Sequence, residues 1–132
     1  MNEKYSKLIE AATAVRKNAY APYSKYLVGS AIESSDGRIF VGCNVENACY
    51  NSGFCAERAA LTRAVSEGAK QFVRIVVVTQ SDKAAAPCGA CRQALAEFSL
   101  EMEVVMVNLK GDKKVMQLNQ LLPEAFTPAA LV

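Results

Sequence analysis

The chain of 132 residues contains no histidine. The most frequent metal-ligating side chain is therefore missing, and any bound metal must be completed by cysteine or carboxylate. No run of lysine or arginine occurs either: 15 basic and 13 acidic residues leave a net charge of +2, dispersed along the chain. That distribution lacks the electrostatic footprint of a polynucleotide binder or of a protein that lies on anionic membranes. No apolar run approaches the ~20 residues of a membrane span, and Met1-Asn2-Glu3-Lys4-Tyr5-Ser6-Lys7 lacks the apolar core of a secretory signal. Internal repeats, linkers and low-complexity segments are absent as well. The expectation is a cytoplasmic protein with neither nucleic acid nor membrane as partner.

What is present is a globular composition. Hydrophobic residues make up 52% and charged residues 21%, values that exclude a disordered chain. The chain reads as one domain, 1–132, long enough to bury roughly two-thirds of its unfolded surface without help from disulfides. Its five cysteines are odd in number and include a Cys-x-x-Cys pair. Without a secretory signal, they read as metal-binding or catalytic rather than as a disulfide framework.

In chain order, Leu8, Ile9, Ala12, Val15 and Ala19 recur at helical spacing, which predicts a helix over about 6–20, ended by Ala21-Pro22-Tyr23. Two β-type runs follow, 26–32 and 38–45, joined by Ser34-Ser35-Asp36-Gly37, whose Asp-Gly signals a hairpin. Residues 46–54 are loop-like, and Cys55 opens a second helix that closes at Ser66-Glu67-Gly68 with glycine as a cap. The run 72–79 is β-branched without alternation, as in a central strand covered on both faces. After a polar loop over 80–87, Cys88 begins a third helix to Phe98. Residues 104–109 form another buried strand, Lys110-Gly111-Asp112 a turn, and 115–122 a short strand or helix before Pro123. This order predicts an α/β fold, a mixed sheet with helices in one or two flanking layers.

Two segments organise the rest: Cys55-Ala56-Glu57-Arg58 and Pro87-Cys88-Gly89-Ala90-Cys91, each at a helix start. A Cys-x-x-Cys pair alone serves redox, structural-zinc or catalytic-zinc chemistry. The redox reading lacks a thioredoxin-like, strand-first context. A closed structural site needs a fourth ligand, which without histidine would be Cys43, in an expected strand, or Cys49, in a loop; a small buried hydrophobe suits both better. The open-site reading takes Cys55, Cys88 and Cys91 as three zinc ligands and leaves one position for water. Glu57, two residues after the first ligand, then sits where a general base belongs, although an acidic residue at a helix N-terminus is also ordinary. Three thiolates give Zn2+ a formal charge of minus one. The two helix N-termini offset it, and so can Arg58, and by the same logic Arg92, as donors to sulfur.

Cys-x-Glu followed by Pro-Cys-x-x-Cys matches the three-cysteine form of the zinc nucleobase-deaminase signature. The likeness extends through Ala21-Pro22-Tyr23-Ser24-Lys25-Tyr26, Gly42-Cys43-Asn44-Val45-Glu46-Asn47-Ala48, Ala64-Val65-Ser66-Glu67-Gly68 and Leu121-Leu122-Pro123, over nearly the whole chain. Together these resemble the small, homotetrameric cytidine deaminases. The resemblance implies a three-layer α/β/α domain, one Zn2+ per subunit, a nucleoside substrate and a homotetramer. It also implies roles: Asn44 and Glu46 gripping the ribose 3′-hydroxyl, the Ala56 amide receiving the base carbonyl, and Tyr26, where the family has Phe, forming an aromatic wall. Phe126 matches the aromatic that packs on the pyrimidine from a neighbouring subunit, and Tyr50 a loop tyrosine near a subunit boundary.

The implied reaction converts cytidine or deoxycytidine and water to uridine or deoxyuridine and ammonia, with Glu57 as the proton shuttle. A phosphodiester in place of a free 3′-hydroxyl would meet steric exclusion and the charge of Glu46, which favours free nucleosides over polynucleotides. Three alternatives remain open at this stage: a deaminase of a modified cytosine nucleoside such as blasticidin S, an RNA-editing relative, and a non-catalytic zinc-stabilised binding module.

Overall fold

The computed structural model describes residues 3–131. Its elements are, in order, α1 (Glu3–Arg16), β1 (Gly29–Ser34), β2 (Ile39–Cys43), α2 (Ala56–Ser66), β3 (Phe72–Thr79), α3 (Gly89–Ala96), β4 (Glu103–Asn108), β5 (Lys113–Gln117) and α4 (Leu118–Leu121), with 3-10 turns at Tyr50–Ser52 and Pro128–Leu131. The strands form one sheet in the order β2-β1-β3-β4-β5, so the β-branched run is indeed central. β1 pairs antiparallel with both β2 and β3, β3 and β4 are parallel, and β5 closes the far edge antiparallel to β4. By these pairings β2, β3 and β4 run in one direction, and their carboxyl ends share one edge of the sheet. In open α/β sheets that edge is where ligands bind.

Successive residues of β3 and β4 alternate between the two faces, which explains why these strands lack a polar side. On one face Ala31, Val76, Val78, Val105 and Val107 pack with Tyr5, Leu8 and Ala12 of α1. On the other, Ile32, Ile75, Val104 and Met106 join Ala60, Leu61 and Ala64 of α2, Leu95 and Ala96 of α3, and Leu118 of α4. The three-layer arrangement follows from this division. Each large side chain so buried contributes about 1.5–3 kcal/mol.

Two glycines shape the frame. The hairpin expected between the first two strands forms, with Gly37 at φ +91° in the left-handed region and its N–H bonded to the Ser34 carbonyl at 3.0 Å. Gly42 on β2 lies under α2: a Cβ there would fall 2.3 Å from the Ala60 nitrogen and 2.8 Å from the Ala56 oxygen. The absent side chain lets the start of α2 settle onto the sheet. At the opposite end of the strands, Arg74 on β3 bridges Glu33 on β1 and Glu103 on β4, so one guanidinium ties three strands together.

Element ends depart furthest from expectation at α1 and β1, while β2 and α3 each stop two residues early, at Cys43 and Ala96. α1 stops at Arg16 rather than near Tyr20 because Tyr20 is recruited into a bridge with Val45, its N–H bonding the Asn44 carbonyl at 2.9 Å. β1 begins at Gly29 rather than Tyr26, since the N–H groups of Leu27 and Val28 are taken by the Gln80 and Asn44 side chains. The segment after the last turn is both strand and helix, with the change at Gln117/Leu118, where Gln117 and Gln120 form a reciprocal capping box.

Candidate functional site

Cys55 and Cys88 occupy equivalent positions, each the N-cap of its helix, in extended conformation with no capping hydrogen bond from the thiol. Both sulfurs are thus free to turn toward a ligand in front of the helix. Cys91 follows within the first turn of α3 and is fully buried. The three Sγ atoms lie within 4.8 Å of one another, and Cys55 and Cys88 are 3.8 Å apart. Tetrahedral coordination with Zn–S bonds of about 2.3 Å requires sulfurs about 3.8 Å apart, so the spacing fits Zn2+.

The charge state of the sulfurs agrees with that fit. A hydrogen bond with Cys91, and behind it the Arg58 guanidinium, holds the Cys55 thiol down to about 5. Cys91 is pushed in the opposite direction by that same hydrogen bond and by burial. A divalent cation held by these sulfurs would take the place of their protons, since thiolate is the metal-binding form. Arg58 reaches Cys55 Sγ with Nη2 at 3.9 Å and stacks on the Phe54 ring at 5.5 Å, while its buried Nε has no hydrogen-bond partner. It brings positive charge to the sulfur set, in the role expected of it as a donor to sulfur.

A cavity of about 700 Å3 opens in front of the cysteines at the carboxyl edge of the sheet, within the range of small-molecule sites. Glu57 lines it and is only 6% exposed. Burial, with a smaller push from the Cys55 charge, raises the Glu57 carboxyl to about 7, against the lowering effects of its own backbone N–H and of Arg58. A carboxyl poised in this way both accepts and returns a proton near neutrality. Ala56, beside it, also lines the cavity and opens α2, where first-turn N–H groups have no partner within the helix.

Asn44, Glu46 and Tyr26 line the same cavity. Asn44 leaves β2 with both ends of its amide engaged: Oδ1 accepts from Val28 N–H and Nδ2 donates to the Tyr26 carbonyl, each at 2.8 Å. It therefore braces the cavity wall as well as facing the cavity. The Tyr26 hydroxyl bonds Ser81 in the loop leading to Cys88. Tyr50 lies at the mouth and is 79% exposed, its ring 6.0 Å from that of Tyr23. Phe126 does not line the cavity of its own chain; it is 59% exposed, with its carbonyl held by Gln93 Nε2 at 2.8 Å.

Two expectations need correction. Arg92 does not serve the sulfurs: Nε donates to the Pro87 carbonyl at 2.8 Å and Nη1 to the Leu121 carbonyl at 2.7 Å, so it fastens the approach to Cys88 onto the end of α4. Cys43 and Cys49 are not buried hydrophobes, since Cys43 is half-buried and Cys49 exposed. Neither joins the metal cluster, which among the described residues comprises Cys55, Cys88 and Cys91. Sequence reasoning missed Ser24 and Ser81. A polar residue after Ala-Pro-Tyr and another in a polar loop carry no signal until the fold brings them to Glu46 and Tyr26.

The zinc-binding region of cytidine and deoxycytidylate deaminases matches residues 2–108. A cytidine deaminase of Sporosarcina psychrophila is 46% identical over 92% of this chain and 90% of its own length. A probable cytidine deaminase of Dictyostelium discoideum is 43% identical over 98% and 88%. The crystal structure of cytidine deaminase from Burkholderia pseudomallei superposes with a TM-score of 0.90 at 47% identity, covering 96% of this chain and 100% of that one.

Proposed function

This chain belongs to the cytidine and deoxycytidylate deaminase family, and from that premise we propose that it hydrolyses cytidine and deoxycytidine to uridine and deoxyuridine with release of ammonia. The observation that carries this reading is the position of Glu57, a buried carboxyl in one cavity with a three-cysteine cluster and two polar residues from the end of β2. Zn2+ held by Cys55, Cys88 and Cys91 supplies the Lewis acidity that makes water nucleophilic near neutral pH.

The chain's own residues do the rest. Glu57 takes one proton from the attacking water as the C–O bond forms at ring carbon 4, and delivers it to ring nitrogen 3. The same carboxylate then carries the second water proton to the exocyclic amine, which leaves as ammonia when the C–N bond breaks. The Ala56 N–H receives the base carbonyl, Tyr26 forms one wall, and Glu46 with Asn44 accepts and orients the sugar. Arg58 and the amino ends of α2 and α3 offset the charge of three thiolates.

A homotetramer is part of this reading. Supporting it are large apolar side chains left in the open, Tyr20, Tyr23, Tyr50, Phe54 and Phe126, of which Tyr50 and Phe54 line the cavity, since exposed apolar groups at a site are often covered by a partner. Phe126 of a neighbouring subunit would complete the pyrimidine pocket. A reducing, cytoplasmic setting suits a chain whose five thiols are all free.

The test is ultraviolet-monitored deamination by zinc-loaded protein offered cytidine, deoxycytidine, blasticidin S and a cytosine-containing single strand. Turnover of the two free nucleosides and of neither other substrate is expected. Turnover of blasticidin S alone would move the substrate class, and no turnover with zinc bound would leave a structural metal site.

A further inference from the structure

Residues 21–25 form a tight turn in which the Lys25 N–H bonds the Ala21 carbonyl at 3.0 Å. Lys25 takes φ +60°, a left-handed conformation that residues other than glycine seldom adopt. The turn aims three donors at one carboxylate: the N–H groups of Tyr23 and Ser24 reach Glu46 Oε1 at 3.0 and 3.1 Å, and the Ser24 hydroxyl bonds Oε2. The Ser24 oxygen also accepts the Tyr26 N–H at 3.0 Å. A backbone N–H can only donate, so the single hydroxyl proton of Ser24 is left for Glu46, and the direction of that bond is set by the chain. The hydroxyl of Ser24 is also the leading reason that the Glu46 carboxyl lies below its ordinary range, which keeps it ionised and able only to accept.

Ser24 and Glu46 line the same cavity, yet Ser24 is exposed and adds nothing to the core. Taking Glu46 as the acceptor of the sugar 3′-hydroxyl, as proposed above, the geometry points to Ser24 as the positioning residue for sugar recognition. Its hydroxyl, together with the two backbone N–H groups on Oε1, restrains the Glu46 carboxylate about its last torsion, a broad one when unrestrained, and leaves a second lone pair of Oε2 for the nucleoside. Without Ser24, the carboxylate keeps two backbone donors on Oε1 but loses the hydrogen bond on Oε2, so it is held less tightly and part of its ordering falls to each incoming substrate. Glu46 lies at the sugar and away from the reacting carbon, so the loss belongs to binding that is equal in ground and transition states.

The experiment compares zinc-loaded wild type, Ser24→Ala, Ser24→Thr and Glu46→Gln on cytidine and 3′-deoxycytidine. Ser24→Ala should raise KM for cytidine about ten-fold with kcat within about two-fold, and leave KM for 3′-deoxycytidine unchanged. Ser24→Thr, which keeps the hydroxyl, should restore the wild-type KM. If Ser24→Ala alters both substrates alike, or neither, while Glu46→Gln still distinguishes them, the assignment of Ser24 is overturned and that of Glu46 stands. If Glu46→Gln treats the two substrates alike, Glu46 is not the 3′-hydroxyl acceptor, and both assignments fall.

Discussion

Arg58 and Arg92 each lie on a helix that carries a residue of the three-cysteine cluster at its start and end up with different tasks. Arg58 stands three residues after Cys55, about one helical turn, which returns its side chain to the sulfur. Arg92 directly follows Cys91, so it points about 100° around the helix from it and finds the carbonyls of Pro87 and Leu121 instead. The three-cysteine cluster was legible because spacing decides it: Cys-x-Glu and Pro-Cys-x-x-Cys at two helix starts leave few arrangements. Arg92 was not, because its acceptors come from a loop and from α4, whose meeting is a tertiary event. The same holds for Ser24, whose part depends on the left-handed turn at Lys25. At this scale the structure separates Cys43 and Cys49 from the metal cluster. A Cys43→Ser, Cys49→Ser double variant should keep about one zinc per chain, measured by elemental analysis of gel-filtered protein, whereas Cys91→Ser should lose most of it. Loss of zinc from the double variant would reinstate a closed four-cysteine site.

At the scale of elements, the central strand, the hairpin and both cysteine-led helices were readable from β-branched runs, Asp-Gly and helical spacing. The end of α1 and the start of β1 were read less well for one reason: Tyr20, Leu27 and Val28 all give their N–H groups to residues far away in sequence. Such competitors are invisible to local propensity. The seating of α2 on β2 is the element-level feature that bears most on function, because Cys55, Ala56 and Glu57 stand at the start of that helix and Gly42 lies beneath it. Gly42→Ala places a methyl group against the helix backbone, which cannot rotate aside. The variant should lose about 1–3 kcal/mol in denaturant unfolding. Its kcat should fall more steeply than that modest loss suggests, since a shift near 1 Å in catalytic groups costs about 100-fold. Wild-type activity in Gly42→Ala would mean that the close approach does not set the site.

For the whole molecule, the three layers bring the carboxyl ends of β2 and β3 and the amino ends of α2 and α3 to one edge, so Asn44, Glu46, Cys55, Glu57 and Cys88 line a single cavity. The three-layer architecture and the partner in the reaction were expected from the resemblance rather than from periodicity, which left two or three layers open. In the proposed assembly, the aromatic side chains exposed around the mouth, and Phe126 outside its own cavity, would be covered by a neighbouring subunit. Ending the chain before Phe126 should therefore lower activity by at least ten-fold while zinc content stays within about 20% of wild type, with sedimentation reporting the assembly. An unaffected truncated enzyme would remove Phe126 from the pocket. The central claim, that one buried carboxyl beside a three-thiolate zinc site moves the protons of cytidine hydrolysis, is most directly tested by Glu57→Gln assayed against wild type at matched zinc content. The variant should keep an intact fold and full zinc while cytidine turnover falls about 100-fold to 10,000-fold; near-normal turnover would mean that Glu57 does not move the protons.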